Sequence, residues 1–287
     1  MNHRARYIVP LPRGRSLALG ERTLVMGILN VTPDSFADGG LRLDPARAVE
    51  DGLRMIAAGA DILDVGGEST RPGAEPVGAD EELRRVLPVV EQLAAAGAVV
   101  SIDTSKAVVA KEALARGAAI VNDISGLQFD AALGRVAAEA GAAIVLMHTR
   151  GRPAEMAALA EYRDVTGEIA AELRQAMARA ADAGIEEASV ILDPGVGFAK
   201  RAAHSYEALA GLGALAALGR PILCGPSRKS FLTAALGERE PSEREWGTAA
   251  AVAASVLLGA HIVRVHGVAE MVDVVWVADR IRAAGGV

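Results

Sequence analysis

The feature that most constrains the fold is a unit that occurs seven times along the chain. In each unit an alanine-rich amphipathic segment ends at a glycine, and a short aliphatic run and then polar residues follow it. A glycine here fits the left-handed position just past a helix end, where a side chain is sterically unfavourable. The glycines are Gly59, Gly97, Gly117, Gly141, Gly184, Gly219 and Gly259. With an opening strand at residues 24–29, the chain has eight predicted strands.

Helices and strands that alternate in this way require parallel strands joined by right-handed crossovers. Eight units without a break in composition favour one closed barrel over an open sheet, so the predicted fold is α/β, a single-domain (β/α)8 barrel. We expect the barrel domain at residues 23–287. Residues 1–22 fall outside the repeat, and we expect them to form an N-terminal arm, a hairpin under the barrel. Ser242 and Glu245 predict a capping box at a late helix.

Composition and charge exclude several classes of function. The net charge of −6 argues against a general nucleic-acid binder, so we expect small-molecule partners and no nucleic acid. No apolar run reaches the roughly 18 residues that a membrane-spanning helix needs, so we expect no membrane association. Cys224 is the single cysteine, which excludes an intrachain disulfide. We therefore expect a cytoplasmic protein.

Polar residues follow nearly every predicted strand. In a parallel barrel the carboxyl ends of all strands meet at one opening, so these side chains should gather there. One such residue could equally be a hydrogen-bonded core residue, but a whole set of them favours a binding site. The set is Asn30, Asp64, Asp103, Asn122, Asp123, His148, Asp193, Lys229, Arg264 and His266.

Several of these residues, together with neighbouring loop residues, fall into two groups by chemistry. Acceptors, an amide and a cation suit a flat heterocycle such as a pterin or guanine, with apolar walls beside it. These residues are Asp103, Asn122, Asp193 and Lys229, with Met147 and Phe198 as walls. Donors and positive charge suit a phosphate or diphosphate. These residues are Asn30, Thr70, Arg71, Arg264 and His266.

Loops and helix starts next to these strands add two expectations. The polar, glycine-rich segments 31–41 and 66–77 are predicted to close over the site as lids. Ser230 begins an apolar stretch, SFLTAAL, that reads as a helix. Its N-terminus could bind a carboxylate, or the helix could be purely structural. No GxGxxG motif follows a strand, so a dinucleotide is not expected.

Several long motifs between Met26 and His266 resemble the dihydropteroate synthase family. They are GILNVTPDSFADGG, DVGGESTRPGA, SIDTSK, VNDISG, ILDPGVGFAK, SRKSF and RVH, in this order. The resemblance implies a TIM barrel, usually homodimeric, that is the target of sulfonamides. It also implies a transferase of folate biosynthesis that condenses 6-hydroxymethyl-7,8-dihydropterin diphosphate with 4-aminobenzoate to give 7,8-dihydropteroate and pyrophosphate.

The resemblance also implies roles for individual residues. The pterin would be held by Asp103, Asn122, Met147, Asp193, Phe198 and Lys229. The diphosphate would be bound by Asn30, which would also ligate Mg²⁺, and by Thr70, Arg264 and His266. The 4-aminobenzoate pocket would be shaped by Phe36, Arg71, Pro72 and Ser230. The catalytic residues would be Arg71, Lys229, Arg264 and His266. Asp64 would either contact the pterin edge or support residues that do.

Two residues depart from the family pattern, Thr149 after MH and Gly267 after RVH, and Gly267 leaves the orientation of His266 open. No cysteine, serine or histidine is arranged to activate a weakly nucleophilic arylamine. The resemblance implies instead that diphosphate leaves first and that closed loops exclude water.

Two other functions would use part of the same residue pattern. A methyltetrahydrofolate-dependent methyltransferase would share the ring-binding acids but would not need Arg264 or Lys229 for a diphosphate. A non-catalytic pterin-binding paralogue is disfavoured because Asn30, Arg71, Lys229 and Arg264 are all present.

Overall fold

Eight parallel strands form a barrel in the computed structural model, which describes residues 4–32, 45–69 and 76–285. After an N-terminal hairpin of β1 (Tyr7–Leu11) and β2 (Arg15–Leu19), the barrel strands are β3 (Leu24–Asn30), β4 (Ile62–Gly66), β5 (Val100–Asp103), β6 (Ile120–Asp123), β7 (Ala143–Met147), β8 (Val190–Asp193), β9 (Leu223–Cys224) and β10 (Ile262–Val265). Neighbours pair in the order β8-β7-β6-β5-β4-β3-β10-β9. A parallel bridge between Leu192 and Ile222 links β8 to β9 and closes the ring. The predicted (β/α)8 barrel is confirmed.

Helices cover the outside of the barrel. They are α1 (Pro45–Ala57), α2 (Ala79–Ala95), α3 (Ala107–Ala115), α4 (Leu133–Glu139), α5 (Val165–Asp182), α6 (Ala202–Ala210), α7 (Leu212–Leu215), α8 (Thr233–Leu236), α9 (Glu245–Leu257) and α10 (Val268–Ala284). Buried aliphatic residues such as Leu63, Leu93 and Val100 fill the layer between helices and strands. Within the described residues, no helix has the length and apolar character needed to cross a membrane.

The glycines of the repeated unit have the predicted left-handed backbone. All seven have positive φ, from 60° at Gly141 to 112° at Gly117. Six of them follow an α-helix and Gly219 follows a 3₁₀ turn, Ala216–Leu218. The sequence pattern therefore located the junctions between helices and strands correctly.

The predicted capping box at Ser242 and Glu245 is wrong. Residues Pro241–Arg244 form a 3₁₀ turn, and the reciprocal contact joins Glu240 to Glu243 two residues earlier. The backbone N–H of Glu240 donates to Glu243 Oε2 at 3.0 Å. Pro241, whose ring fixes φ, starts the helical geometry before Ser242 can act as a cap.

The N-terminal hairpin packs under the barrel, as expected. Val9, Leu11, Leu17 and Leu19 are buried in one apolar cluster with residues such as Leu24 and Ile62, which begin barrel strands. Buried Arg4 ties this end together, because its Nη1 donates to Thr23 Oγ1 at 2.6 Å and its Nη2 lies 3.2 Å from Asp279 Oδ1. The hairpin closes the amino-terminal end of the barrel, so a ligand would enter at the opposite end.

Candidate active site

Four polar side chains at the carboxyl-terminal side of β4, β5, β6 and β10 form one continuous hydrogen-bonded chain. Asn122 Nδ2 donates to Asp64 Oδ2 at 2.9 Å, and Arg264 Nε donates to the same oxygen at 2.6 Å. Arg264 Nη2 donates to Asp103 Oδ2 at 2.7 Å. Two buried carboxylates would be costly without a counter-charge, so Arg264 stabilises both. Asp64 Oδ1 is buried and has no hydrogen-bond partner among the described residues.

Burial also changes the pKa values of two of these four side chains, Asp103 and Arg264. Burial raises the pKa of Asp103 to about 7, although the charge of Arg264 opposes the rise. Burial by itself would lower the pKa of Arg264, but the charges of Asp64 and Asp103 raise it. Arg264 therefore stays cationic, while Asp103 can gain or lose a proton near neutral pH and can donate to or accept from a ligand.

A second acid and a cation lie at the ends of β8 and β9. Asp193 is buried and its Oδ1 accepts the backbone N–H of Gly195 at 2.7 Å. Lys229 Nζ donates to the backbone carbonyl of Val196 and lies 4.6 Å from the ring centroid of Phe198. Burial raises the pKa of Asp193, against the charge of Lys229, and burial lowers the pKa of Lys229 to about 8. The two charges offset each other in a desolvated setting.

Apolar side chains accompany this acid and cation. Met147 is buried at the end of β7, directly opposite Asp193 in the strand register. Phe198 is half-buried and contributes the ring under Lys229. Acid, cation and apolar surface are thus close together, and this combination suits a flat polar ring.

His266 is oriented by Ser227, which precedes Lys229 in the loop after β9. Ser227 Oγ accepts the backbone N–H of His266 at 3.2 Å and lies 2.9 Å from His266 Nδ1. When the Ser227 hydroxyl donates to Nδ1, the ring proton is on Nε2, which then acts as a donor. Gly267 does not prevent this orientation.

Asn30 and Ser230 differ in burial and in the element that carries them. Asn30 ends β3, is half-buried and pairs in register with Gly66 of β4. Ser230 is exposed and begins a 3₁₀ turn, Ser230–Leu232, that leads into the four-residue α8. The SFLTAAL stretch is thus helical but too short for a strong helix dipole. Phe36, Thr70, Arg71 and Pro72, with most of the two predicted lid segments, lie outside the described residues.

The structure adds a polar cluster that the sequence did not single out. His148, named only as a strand-end residue, lies between Lys200 and Glu172, and Arg150 pairs with Glu172. Lys200 is the last residue of the ILDPGVGFAK motif, and its place in that motif was the sequence signal that could have marked it as a site residue. Its partner is 52 residues earlier in the chain, so no local pattern could connect the two.

Comparison with known proteins gives a consistent result. A family model described as pterin binding enzyme matches residues 26–266. The dihydropteroate synthase of Mycobacterium leprae is 49% identical, covering 91% of this chain and 94% of that protein. The Yersinia pestis dihydropteroate synthase, solved with a sulfonamide drug complex, superposes with a TM-score of 0.90 at 41% identity, covering 96% of this chain and 99% of that one.

A second solved structure contains a bound small molecule. The Xanthomonas albilineans dihydropteroate synthase in complex with 7,8-dihydropteroate has a TM-score of 0.85 and 38% identity, covering 96% of this chain and 99% of that one. The match extends over the barrel and over the strand ends that carry the polar residues. The chain therefore belongs to the pterin-binding enzyme family, among its dihydropteroate synthases.

Proposed function

We propose that the chain condenses 6-hydroxymethyl-7,8-dihydropterin diphosphate with 4-aminobenzoate to give 7,8-dihydropteroate and pyrophosphate. One observation carries the proposal: the chain of Asn122, Asp64, Arg264 and Asp103 opens at the same barrel end as the Asp193–Lys229 pair. The Xanthomonas albilineans enzyme has been solved with 4-aminobenzoic acid and with 7,8-dihydropteroate, which supports the same substrates here.

The pterin ring would be recognised through its polar edges. Carboxylates of Asp103 and Asp193 can accept from ring N–H groups, and Lys229 can donate to a ring acceptor. Asn122 uses Nδ2 toward Asp64, which leaves its amide oxygen as an acceptor. Phe198 and Met147 would supply apolar contact to the ring faces.

The diphosphate would lie toward β3 and β10. Two carboxylates hold the guanidinium of Arg264 in place, and Ser227 orients the ring of His266. Both side chains are therefore oriented before the substrate binds. Donors fixed in advance stabilise developing negative charge without reorganisation. In the proposed reaction the C–O bond to the diphosphate breaks and its electron pair leaves with pyrophosphate. The amine lone pair then forms the new C–N bond, and the amine loses a proton.

Mg²⁺ is proposed as the cofactor, with Asn30 as its ligand. Among the described residues no group of three His, Cys, Asp or Glu side chains could hold a metal ion. A single amide oxygen nevertheless fits Mg²⁺, which usually takes one or two protein ligands together with waters and substrate phosphates. When bound, the ion would neutralise charge on the departing diphosphate.

Pyrophosphate release on mixing both substrates tests the proposal. We expect release that requires 4-aminobenzoate, that is lost in Lys229→Met and that is retained in Lys111→Met, which removes an exposed lysine of α3. No release by the wild-type protein would reject the synthase. Methyl transfer from methyltetrahydrofolate would instead support the methyltransferase.

We also propose that the chain forms a homodimer through α10. Val277 and Ile281 are one helical turn apart and are 62% and 52% exposed, beside Trp276 at 62%. Large exposed apolar residues of this kind are typical of interfaces. Light scattering should give a dimer for the wild type and a monomer for Trp276→Glu. Ile8→Glu, which changes an exposed residue of the hairpin, should stay dimeric, and a monomeric wild type would reject the proposal.

A cytoplasmic location stays a proposal. Cys224, the single cysteine of the sequence, is buried and cannot form an intrachain disulfide, so the fold does not need an oxidising compartment. Fractionation of cells that express the tagged chain would test it.

A further inference from the structure

Residues 194–200, here called the β8 loop, are held by side chains to which the proposed reaction gives no role. Lys200 Nζ donates to the backbone carbonyl of Phe198 at 3.1 Å and lies 2.8 Å from His148 Nδ1. On the other side of its ring, His148 Nε2 lies 3.1 Å from Glu172 Oε2. His148 therefore connects the β8 loop to α5.

The partners of His148 determine its protonation. The side chain is only 1% exposed, and burial lowers its pKa to about 4, so the ring is neutral near neutral pH. An ionised Glu172 can only accept hydrogen bonds, so Nε2 must carry the ring proton. Nδ1 is then an acceptor, and Lys200 is its donor. The direction of both hydrogen bonds follows from these assignments.

The connection continues from Glu172 back to the β8 loop. Arg150 forms ion pairs with Glu172 and Glu168, and its guanidinium carbon lies 4.0 Å from the ring centroid of Tyr162. Tyr162 Oη donates to the backbone carbonyl of Ala199 at 3.0 Å. The side chains of Lys200, His148, Glu172, Arg150 and Tyr162 thus form a closed ring that begins and ends on the β8 loop.

The backbone of the β8 loop fits closely against the same histidine. Gly195 has a φ of 66°, and a Cβ there would come within 2.0 Å of the carbonyl oxygen of His148. Lys229 holds the carbonyl of Val196. The backbone carbonyls of Val196, Phe198 and Ala199 are therefore all held by side chains, so the loop is fixed before, at and after Phe198.

Burying the polar ring of His148 is costly unless both of its nitrogens have partners, and Lys200 and Glu172 are those partners. What a hydrogen-bonded ring provides is a fixed direction for each group it contacts. The groups that the ring contacts are backbone carbonyls at and next to Phe198, in the loop that follows Asp193. Phe198 and Asp193 are the proposed pterin contacts.

We propose that Lys200 and His148 are positioning residues for the pterin substrate, acting through the β8 loop and not by touching the ligand. The inference rests on the proposed function, since it assumes that Phe198 and Asp193 contact the pterin. It makes pterin binding, and not 4-aminobenzoate binding, depend on the Lys200–His148 hydrogen bond.

Lys200→Met, with Lys111→Met as the matched control, tests the inference. Burial lowers the pKa of Lys200 to about 7, but the side chain is the donor to His148 Nδ1 in either protonation state. Losing this hydrogen bond should raise the KM for the dihydropterin diphosphate about tenfold, while the KM for 4-aminobenzoate changes less than about twofold. Lys111→Met should change neither KM. Calorimetric titration with the dihydropterin diphosphate alone should show the same loss of affinity for Lys200→Met.

Two substitutions of His148 separate positioning from mere support of the fold. His148→Asn places an amide oxygen near the position of Nδ1 and should retain most pterin affinity. His148→Phe fills the space without an acceptor and should match Lys200→Met. The double variant Lys200→Met/His148→Phe should bind pterin no more weakly than either single variant, because the two residues act as one unit.

The inference would be overturned if Lys200→Met raised both KM values equally. It would also be overturned if His148→Asn and His148→Phe had equal affinity for the pterin substrate. A lower melting temperature with unchanged pterin affinity would overturn it too. If Lys200→Met does not fold, the two His148 variants decide. If the wild type binds the dihydropterin diphosphate but releases no pyrophosphate, the proposed function fails, and the calorimetric comparison still tests the role of Lys200 and His148.

Discussion

Arg264→Met is the substitution for which the structure gives the strongest expectation. Arg264 donates to Asp64 at 2.6 Å and to Asp103 at 2.7 Å, and these carboxylates are 0% and 9% exposed. Methionine keeps much of the side-chain length but removes the charge and both donors. Two buried carboxylates then lose the cation that bonds to both of them.

The size of the effect follows from this burial. Breaking a buried ion pair by removing one partner typically costs about 3–5 kcal/mol of unfolding free energy, whereas an exposed pair contributes roughly 0–1 kcal/mol. We therefore expect Arg264→Met to lose about 3–5 kcal/mol in the absence of substrate. Adding Asp103→Asn removes one of the two charges and should recover at least about 1 kcal/mol.

The loss should also depend on pH, with a defined sign. The pKa of Asp103 in the folded protein is raised from 3.8 to about 7. Its protonated form therefore favours folding, and this contribution is fully present below pH 3.8 and is lost as pH rises through about 7. Removing Arg264, which opposes the rise, moves this pKa further up. Arg264→Met should be most destabilising near pH 8 and less so near pH 5.

Urea unfolding followed by circular dichroism at these two pH values measures the effect. Arg84→Met, which breaks an exposed ion pair with Glu81 on α2, is the matched control and should change the unfolding free energy far less than Arg264→Met does. An unfolding free energy of Arg264→Met within about 1 kcal/mol of the wild-type value at pH 8 would contradict this role of Arg264. A larger loss at pH 5 than at pH 8 would contradict it too.

Three further predictions concern the substrates. Asp193→Asn should weaken binding of the dihydropterin diphosphate by about 2–5 kcal/mol, because it leaves Lys229 without its buried counter-charge; an unchanged Kd in calorimetry would reject this role. Burial lowers the pKa of Lys229 to about 8, so its charge is lost above that pH and kcat/KM should fall there. In Lys229→Arg this fall in kcat/KM should occur at a higher pH. A fall at the same pH as in the wild type would contradict the assignment. EDTA should abolish pyrophosphate release and added MgCl₂ should restore it, whereas full turnover in EDTA would exclude the Mg²⁺ proposed at Asn30.

Local sequence patterns specified the fold well. Helix ends, strand lengths and left-handed glycines depend on neighbouring residues, which is why Gly59, Gly117 and the other junction glycines could be located without coordinates. The capping box failed for an equally local reason, since Pro241 starts the helical turn earlier. The strand-end residues could also be named from the sequence, because parallel strands must present their carboxyl ends together.

The tertiary structure alone decided which of these residues contact one another. Arg264 bonds to Asp64 and Asp103, which are 200 and 161 residues away, and Lys200 bonds to His148 across 52 residues. Such pairs depend on the register between strands and on the direction of each side chain inside the closed barrel, and neither is encoded in a local window. The sequence therefore determined the barrel and the residues at its opening. The three-dimensional packing determined the partners of these residues. It also determined their charge states, because burial and the nearest counter-charge together set a pKa.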